Sequence, residues 1–249
     1  MRKAALVLAA LVLAGCGAQK KSPVIAHVLA AQAQHCTDGE LVRLGSVRTA
    51  YAAAAPRGAV AFTRPGGAVV ARFGQKNVNS YPTVFGVVGV VVRHDCKPRW
   101  YRVQLPRKPN GVTAFVRARA LRVETVRTRI VVELSKRRLT LYRNAKPVLT
   151  ATVAVGSPST PTPTGRFYVN QRLVPADTGG PFGPGAIGIS AFSTVLTGWV
   201  QGGPVAIHGT NQPWSIGHAV SNGCIRLPNA TLLKVFRETL AGTPVIIRP

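Results

Sequence analysis

The chain has 249 residues and is 46% apolar, so it is long and apolar enough to fold as two small domains or one of moderate size. Its 32 Lys and Arg residues against 7 Asp and Glu give a formal net charge of +25 at pH 7. Acids are so scarce that Asp177 is the only one between Glu133 and Glu238. No close pair of cysteines exists and the histidines are scattered, which argues against a zinc site, and we expect no metal and no cofactor.

The first residues have the pattern of a secretory signal peptide over residues 1–15. Arg2 and Lys3 precede an apolar run over residues 4–14, which is too short for a comfortable membrane span. The motif LAGC, which ends at Cys16, resembles a bacterial lipobox. That resemblance implies cleavage before Cys16, attachment of lipid to this cysteine and stable anchoring in the membrane. The alternative is an ordinary signal peptide followed by a chance cysteine.

Export limits the partners that the positive charge can have. In a cytoplasmic chain such a charge would suggest nucleic acid, but export removes that partner. The polyanions that remain are phospholipid head groups, wall polymers and the carboxylates of peptidoglycan. The basic residues could equally serve only solubility or reflect a compositional bias toward Arg. In either case we expect adhesion to anionic surfaces that weakens with added salt.

Three cysteines follow the predicted tether of residues 16–35, in which residues 24–34 could form a helical turn or two. In an oxidising compartment a pair of cysteines tends to bond. Cys36 and Cys96 lie in the same half of the chain, and a disulfide between them would leave Cys224 as an unpaired thiol. The alternative is that both are free.

Residues 36–125 are predicted to form a small β domain. Strand-like runs at 59–62, 68–71, 84–92, 100–105 and 114–117 alternate with turns, and Pro109-Asn110-Gly111 is a hairpin signal. Regular short strands of this kind suggest a small barrel. The run WYRVQLPRKPNGVTAFVRARAL is similar to the closing part of bacterial SH3-like domains, which often accompany wall enzymes. A spacer or weak wall contact is favoured here over a specific ligand site.

Residues 128–249 are predicted to form a second β-rich domain with one helix. Strands are expected at 130–134, 139–142, 147–155, 165–169, 205–207 and 245–247, and residues 179–188 should be irregular, as a lid or a plain connection. Asn229 is expected to cap a helix whose apolar face comprises Leu232, Leu233, Val235, Phe236 and Leu240.

His208 and Cys224 are the candidate catalytic residues, because they lie sixteen residues apart in Gly-rich turns. A thiol attacks carbonyl groups as its thiolate, and a nearby imidazole is the usual means of forming it. Asp177 is the one acid available to orient the imidazole, and a backbone carbonyl or Asn222 could do so instead. The pair could rest as thiol and imidazole, or as thiolate and imidazolium.

The motif AIHGT…SNGCIRL resembles the signature of the L,D-transpeptidase (YkuD-like) family of cell-wall enzymes. The earlier run LTLYRNAKPVLTATVAVGSPSTPTPTGRFYV resembles the opening of the same catalytic domain. By position, the resemblance implies Cys224 as nucleophile, His208 as base, the Gly209 carbonyl as its orienter and Arg226 beside the substrate. Asn222 stands where the family frequently has a histidine, so a second imidazole is missing.

The resemblance also implies the partners of the site. The donor would be a peptidoglycan tetrapeptide stem and the acceptor an amine on another stem, giving a 3→3 cross-link through a thioester. β-Lactams of the carbapenem type are implied as covalent inhibitors. Oxyanion and substrate-binding roles are expected for Ser221, Asn222, Gly223 and Arg226, with Ser221 stabilising the turn rather than reacting. Trp199 and Trp214 are candidate cleft walls.

Two alternatives to transpeptidation remain at this point. One is an L,D-carboxypeptidase of the same family, in which water is the acceptor. The other is an inactive wall-binding lipoprotein, whose best support is Asn222 in place of the common histidine.

Overall fold

A computed structural model describes residues 36–196 and 198–249, which form two large β-sheets, each with its own apolar core. The mainly β fold class predicted from the sequence is confirmed. The predicted signal peptide, Cys16 and the tether lie outside the described residues. Within the described residues, no helix is both long enough and apolar enough to cross a membrane.

The first sheet uses eight strands of the N-terminal half. They are β1 (Leu41–Arg43), β2 (Ala50–Ala54), β3 (Ala59–Phe62), β4 (Val69–Phe73), β5 (Val84–Val92), β6 (Pro98–Gln104), β7 (Thr113–Arg117) and β8 (Arg122–Val126). Their order is β4-β3-β7-β6-β5-β2-β8, all antiparallel, with β1 added to β5. The Val-rich β5 lies near the middle because branched side chains pack well on a buried pleated surface.

The sequence prediction for this half was correct where branched and aromatic residues mark the strands. The predicted strands at 59–62 and 84–92 match β3 and β5, and the hairpin turn at Pro109-Asn110-Gly111 joins β6 to β7 as predicted. Strand β2 was missed because its sequence, Ala-Tyr-Ala-Ala-Ala, has no strand preference of its own. It is a strand because β5 and β8 pair with its two edges.

A disulfide joins Cys36 to Cys96, 60 residues away in the turn between β5 and β6. It ties the beginning of the described chain to the first sheet. Within the described residues Cys224 is the free cysteine.

The second half of the chain contributes the other large sheet and a small one. The strands are β9 (Thr128–Glu133), β10 (Arg138–Arg143), β11 (Lys146–Thr152), β12 (Val155–Gly156), β13 (Gly165–Leu173), β14 (Ala186–Phe192), β15 (Pro204–His208), β16 (Ala219–Ser221), β17 (Ile225–Arg226) and β18 (Pro244–Arg248). The large sheet has the order β11-β10-β9-β18-β13-β14-β15-β17, and β12 pairs separately with β16. Strand β17 runs parallel to β15, so the ends of these two strands meet at one edge.

Strand β14 corrects the expectation that residues 179–188 are irregular throughout. Residues 174–185 do form the connection after β13, but residues 186–188 already belong to β14, which is largely buried between β13 and β15. The Gly/Pro-rich run before it obscured where the strand begins.

The helix of this half, α1 (Asn229–Glu238), corrects the predicted cap. Its N-cap is Pro228, which has no side chain that can accept a hydrogen bond, and Asn229 is the first helical residue. The helix buries Leu232 and Val235 as expected, whereas Leu233 is 40% exposed. Leu240 lies beyond the helix and is also exposed, so the apolar face is narrower than predicted.

The two halves contact each other through β5, β6 and β13. A Cβ placed on Gly86 would lie 2.9 Å from the ring of Tyr168, so the absence of a side chain lets the sheets approach. Gln104 donates its Nε2–H to the carbonyl of Arg166 at 2.7 Å. Asn110, in the hairpin turn, both donates to the carbonyl and accepts from the N–H of Phe192. These paired bonds fix the first sheet against the second.

Candidate active site

His208 is delivered to the site by β15. The buried side chains of Val205 and Ile207 hold this strand in the core, and His208 is its last residue. The imidazole is itself buried, with 4% of the residue exposed. The imidazole is therefore positioned by a strand whose side chains alternate in burial and which ends at a Gly-containing segment.

Cys224 lies beside His208 because β17 pairs with β15. His208 is opposite Arg226, and Leu227 donates its N–H to the carbonyl of His208 at 2.8 Å. Cys224 precedes β17 directly and continues this register, which places it next to Ala206. Side chains two positions apart along a strand point to the same face, so the thiol and the imidazole share one face of the sheet. Cys224 is partly exposed as a whole residue, although its thiol is desolvated by burial.

The tautomer of His208 follows from its hydrogen bond. Nδ1 lies 2.5 Å from the carbonyl oxygen of Gly209. Since a carbonyl only accepts, Nδ1 carries the proton and Nε2 holds a lone pair. Asp177, the acid weighed as an orienter, instead accepts from the N–H of Gly179 within its own loop. The backbone thus orients this base.

The pKa values favour an uncharged resting pair. Burial lowers the pKa of His208 to about 4, helped by the charge of Arg226, although the hydrogen bond with Gly209 raises it. Burial also raises the pKa of the Cys224 thiol, while a backbone hydrogen bond with Ala206 and the charge of Arg226 lower it. At neutral pH both groups are therefore neutral, and thiol with imidazole is favoured over thiolate with imidazolium.

This resting state predicts the pH dependence of alkylation of Cys224. Because iodoacetamide reacts with the thiolate and the pKa of this thiol is raised, the rate should climb about tenfold per pH unit from pH 5 to 8. Mass spectrometry of the peptide that carries Cys224 measures the rate separately from Cys16. In the variant His208→Ala, the pH at the midpoint of the alkylation rate profile should be nearly the same. A rate that levels off below pH 8 and falls in that variant would indicate an ion pair instead.

The turn before the thiol is held by Ser221, which is buried. Its hydroxyl donates to the carbonyl of Cys224 at 2.5 Å and accepts the N–H of Gly223 at 3.2 Å. Gly223 has a φ of 105°, a backbone conformation that favours glycine. The N–H of Gly223, for which an oxyanion role is expected, is bound to Ser221 in this conformation, and that role stays a prediction. Ser221 has the structural role expected of it.

A second loop supports the same turn and was missed by sequence reasoning. The N–H of Ser157 and the hydroxyl of Thr160 each donate to the carbonyl of Ser221 at 2.9 Å. The parallel pairing of β12 with β16 brings this loop to the turn. The only signal in the sequence was the density of Ser and Thr in a loop otherwise rich in Pro, and it did not say which backbone group they would bind.

Near His208, the side chain of Asn229 binds the backbone of another segment instead of capping the helix as predicted. Its Oδ1 accepts the N–H of Thr210 at 2.7 Å, so the start of α1 is bound to the segment that follows His208. A Cβ on Gly209 would lie 2.3 Å from that oxygen, and one on Gly183 would lie 2.4 Å from it. These glycines therefore allow three chain segments to meet beside the imidazole.

Aromatic and polar side chains complete the surroundings of the pair. The ring of Phe182 meets the ring of His208 edge to face at 5.0 Å between centroids, which brings the loop of residues 174–185 against the base. Arg226 donates from Nη1 to the side-chain oxygen of Gln212 at 2.8 Å. Asn222 is exposed. Trp214 is 64% exposed.

Comparison with known proteins places this site in a family. Residues 127–247 match the YkuD family, described as the L,D-transpeptidase catalytic domain. The Bacillus licheniformis protein YkuD, named as an L,D-transpeptidase, is 40% identical over 126 residues, which cover 51% of this chain and 68% of that protein. The chain belongs to the YkuD family of L,D-transpeptidases. Both Cys224 and His208 lie within the matched residues.

Solved structures of L,D-transpeptidases resemble the chain more loosely. A crystal structure of a cysteine-to-serine mutant of the Enterococcus faecium enzyme is 28% identical with a TM-score of 0.39, and the match covers 49% of each chain. The chain thus spans about half the length of that relative. L,D-transpeptidase 3 from Mycobacterium tuberculosis, solved with a faropenem-derived adduct, is 18% identical with a TM-score of 0.39, covering 57% of this chain and 76% of that one.

Proposed function

We propose that the chain transfers acyl groups between peptidoglycan stem peptides through a thioester on Cys224. The observation that carries this proposal is the pairing of β15 with β17, which puts the free thiol and a neutral imidazole on one face of the sheet. Family membership supplies the class of reaction, and the pair supplies the groups that it needs.

The first half-reaction begins with the neutral pair. Nε2 of His208 removes the thiol proton as Cys224 Sγ attacks the amide carbon, because neither group is charged beforehand. The departing amine takes that proton from the imidazolium as the C–N bond breaks, and the acyl group remains on sulfur. An acceptor amine then attacks the thioester and gives a proton to Nε2, and the thiolate takes the proton back.

The developing oxyanion needs donors from the turn that contains Cys224. The backbone N–H of Cys224 itself makes no hydrogen bond in the part of the chain that the structure describes, so it is the first candidate donor. One such donor typically lowers the barrier by about 3–4 kcal/mol. The N–H of Asn222 is the second candidate, whereas the N–H of Gly223 would first have to leave Ser221.

The substrate proposed for this site is a tetrapeptide stem, cut after its third residue with loss of terminal D-alanine. The amine on the third residue of a second stem is the proposed acceptor. Arg226 is the group that we assign to a stem carboxylate, because its guanidinium is held beside the pair by Gln212 and its charge already acts on both reacting groups. β-Lactams of the carbapenem type would acylate the same thiol, and ring opening would supply the leaving amine.

Mass spectrometry of the protein incubated with disaccharide-tetrapeptide fragments tests this proposal directly. We expect a covalent adduct on the peptide that carries Cys224, together with cross-linked dimers among the products. The carboxypeptidase alternative uses the same thioester and differs only in the acceptor, which is water instead of an amine. Formation of tripeptides without any dimer would establish that alternative, and the absence of both adduct and product would support an inactive wall-binding protein.

Membrane attachment through lipid on Cys16 is proposed from the leader alone. It would place the catalytic half outside the membrane, facing the cell wall and its stem peptides. The mass of the N-terminal peptide of the mature protein tests it, because a chain that begins at unmodified Cys16, or retains residues 1–15, would contradict it.

A further inference from the structure

The N-terminal half carries two adjoining cavities that are lined by arginine. One has a volume of about 400 Å³ and the other about 280 Å³, and both are bounded by Arg57, Arg119 and Ala120. Arg72 and Arg117 line the larger cavity, and Arg122 lines the smaller one. We call this pair of cavities the arginine groove. None of the residues that line it is an acid or a lysine.

The charges of the arginine groove are not neutralised within the protein. All five arginines are exposed, and none of them forms a salt bridge within the described residues. Arg117 already makes a cation–π contact, because its guanidinium lies 4.6 Å from the centre of the Trp100 ring. Five like charges around one concavity repel each other, so a bound anion would relieve a cost that the free protein bears.

The backbone around the groove is closely packed. Arg57 lies in the turn between β2 and β3, where the next residue, Gly58, donates its N–H to the carbonyl of Ala55 and has a φ of 76°. A Cβ on Gly58 would lie 2.5 Å from the carbonyl oxygen of Phe73, so this turn packs directly on β4. Arg119 lies in the short 3-10 helix Ala118–Ala120, between β7 and β8.

The shape and chemistry of the groove select the ligand. Guanidinium groups bind phosphate oxygens in a fork of two hydrogen bonds, and the cations are spread along two cavities rather than converging on one point. A protein that binds a bilayer surface inserts apolar side chains, yet none of the large apolar residues exposed in the described chain lines the groove. We propose that the arginine groove binds a linear polymer of phosphodiesters, one strand lying across both cavities.

Binding of poly(glycerol phosphate) to the full chain tests this proposal. The variant Arg57→Gln/Arg119→Gln removes the two cations that both cavities share, while Arg43→Gln/Arg93→Gln removes two exposed, unpaired arginines outside the groove. We expect the groove variant to bind at least tenfold more weakly and its salt dependence, as the slope of log K against log salt, to fall by about two. The control variant should remain within about threefold of the original protein.

The proposal does not rest on acyl transfer, and binding is measured without it. Equal weakening in both double variants would overturn the proposal, because net charge alone would then explain the binding. It would also be overturned if phosphatidylglycerol vesicles bound through the groove and the polymer did not, or if a polyuronate bound as tightly as the phosphate polymer. Matching melting temperatures of the variants and the original protein establish that each variant is folded.

Discussion

Replacing Cys224 by alanine is expected to abolish acyl transfer, with turnover falling by about 10⁵-fold or more, as losses of a covalent nucleophile do. The reason is chemical rather than structural, because Cys224 is the free thiol of the described residues and the group to which the proposed mechanism assigns the acyl intermediate. Release of D-alanine from a tetrapeptide and formation of dimers measure the loss. The covalent adduct should disappear with them.

The fold of the Cys224→Ala variant should be almost unchanged. The side chain is small and partly exposed, so the free energy of unfolding should change by less than about 1 kcal/mol. Cys224→Ser is the matched comparison, because it keeps a nucleophilic atom in the same place. We expect it to be nearly as inactive, since a neutral imidazole with a pKa of about 4 is a weak base for a hydroxyl. Turnover that survives in Cys224→Ala would end the proposed mechanism.

His208 and Cys224 could be predicted as a catalytic pair from the sequence because two short motifs contain them. A histidine at the end of an apolar run and a cysteine in a Gly-containing turn predict their chemistry whatever lies between them. Their placement on adjacent parallel strands required the structure, since β17 is only two residues long. A strand that short has no periodicity to detect.

Other parts of the site could not be predicted, because they depend on contacts between distant segments. Asn229 has the sequence context of a helix cap, yet its side chain binds the backbone of Thr210, 19 residues earlier. The bond from Thr160 to Ser221 spans 61 residues. Whether the N–H of Gly223 is free depends on the rotamer of Ser221. Local patterns contain no information on partners of this kind.

Two strands missed by the sequence prediction, β2 and β14, lie between two neighbouring strands. Strand β2 is rich in alanine and has no local preference for a strand, whereas β14 contains Ile187, Ile189 and Phe192 but follows directly on a Gly/Pro-rich run. Pairing with neighbours on both sides decides their conformation, as tertiary contacts regularly do. Strands rich in Val and Ile, such as β5 and β9, were predictable because their composition and their burial agree.

The proposed mechanism requires His208 for removal of the thiol proton, because the resting pair is neutral. If the thiol were already a thiolate, removal of the imidazole would mainly impair protonation of the leaving amine. With burial holding the pKa of His208 at about 4 and raising that of Cys224, the imidazole must also take the thiol proton during attack. The carbonyl of Gly209, which orients the imidazole, belongs to the backbone and cannot be removed by mutation. The side chain of His208 is therefore the group to replace.

His208→Ala is therefore expected to lower kcat/KM by about 10²–10⁴-fold, the usual contribution of a general acid–base group. Because this residue is buried, the variant leaves a cavity, and added imidazole should restore part of the activity by occupying it. Asn222→Ala is the matched control, since Asn222 is exposed and lies two residues from the sulfur; its loss should stay within about tenfold. A larger loss in Asn222→Ala than in His208→Ala would mean that the base has been misassigned.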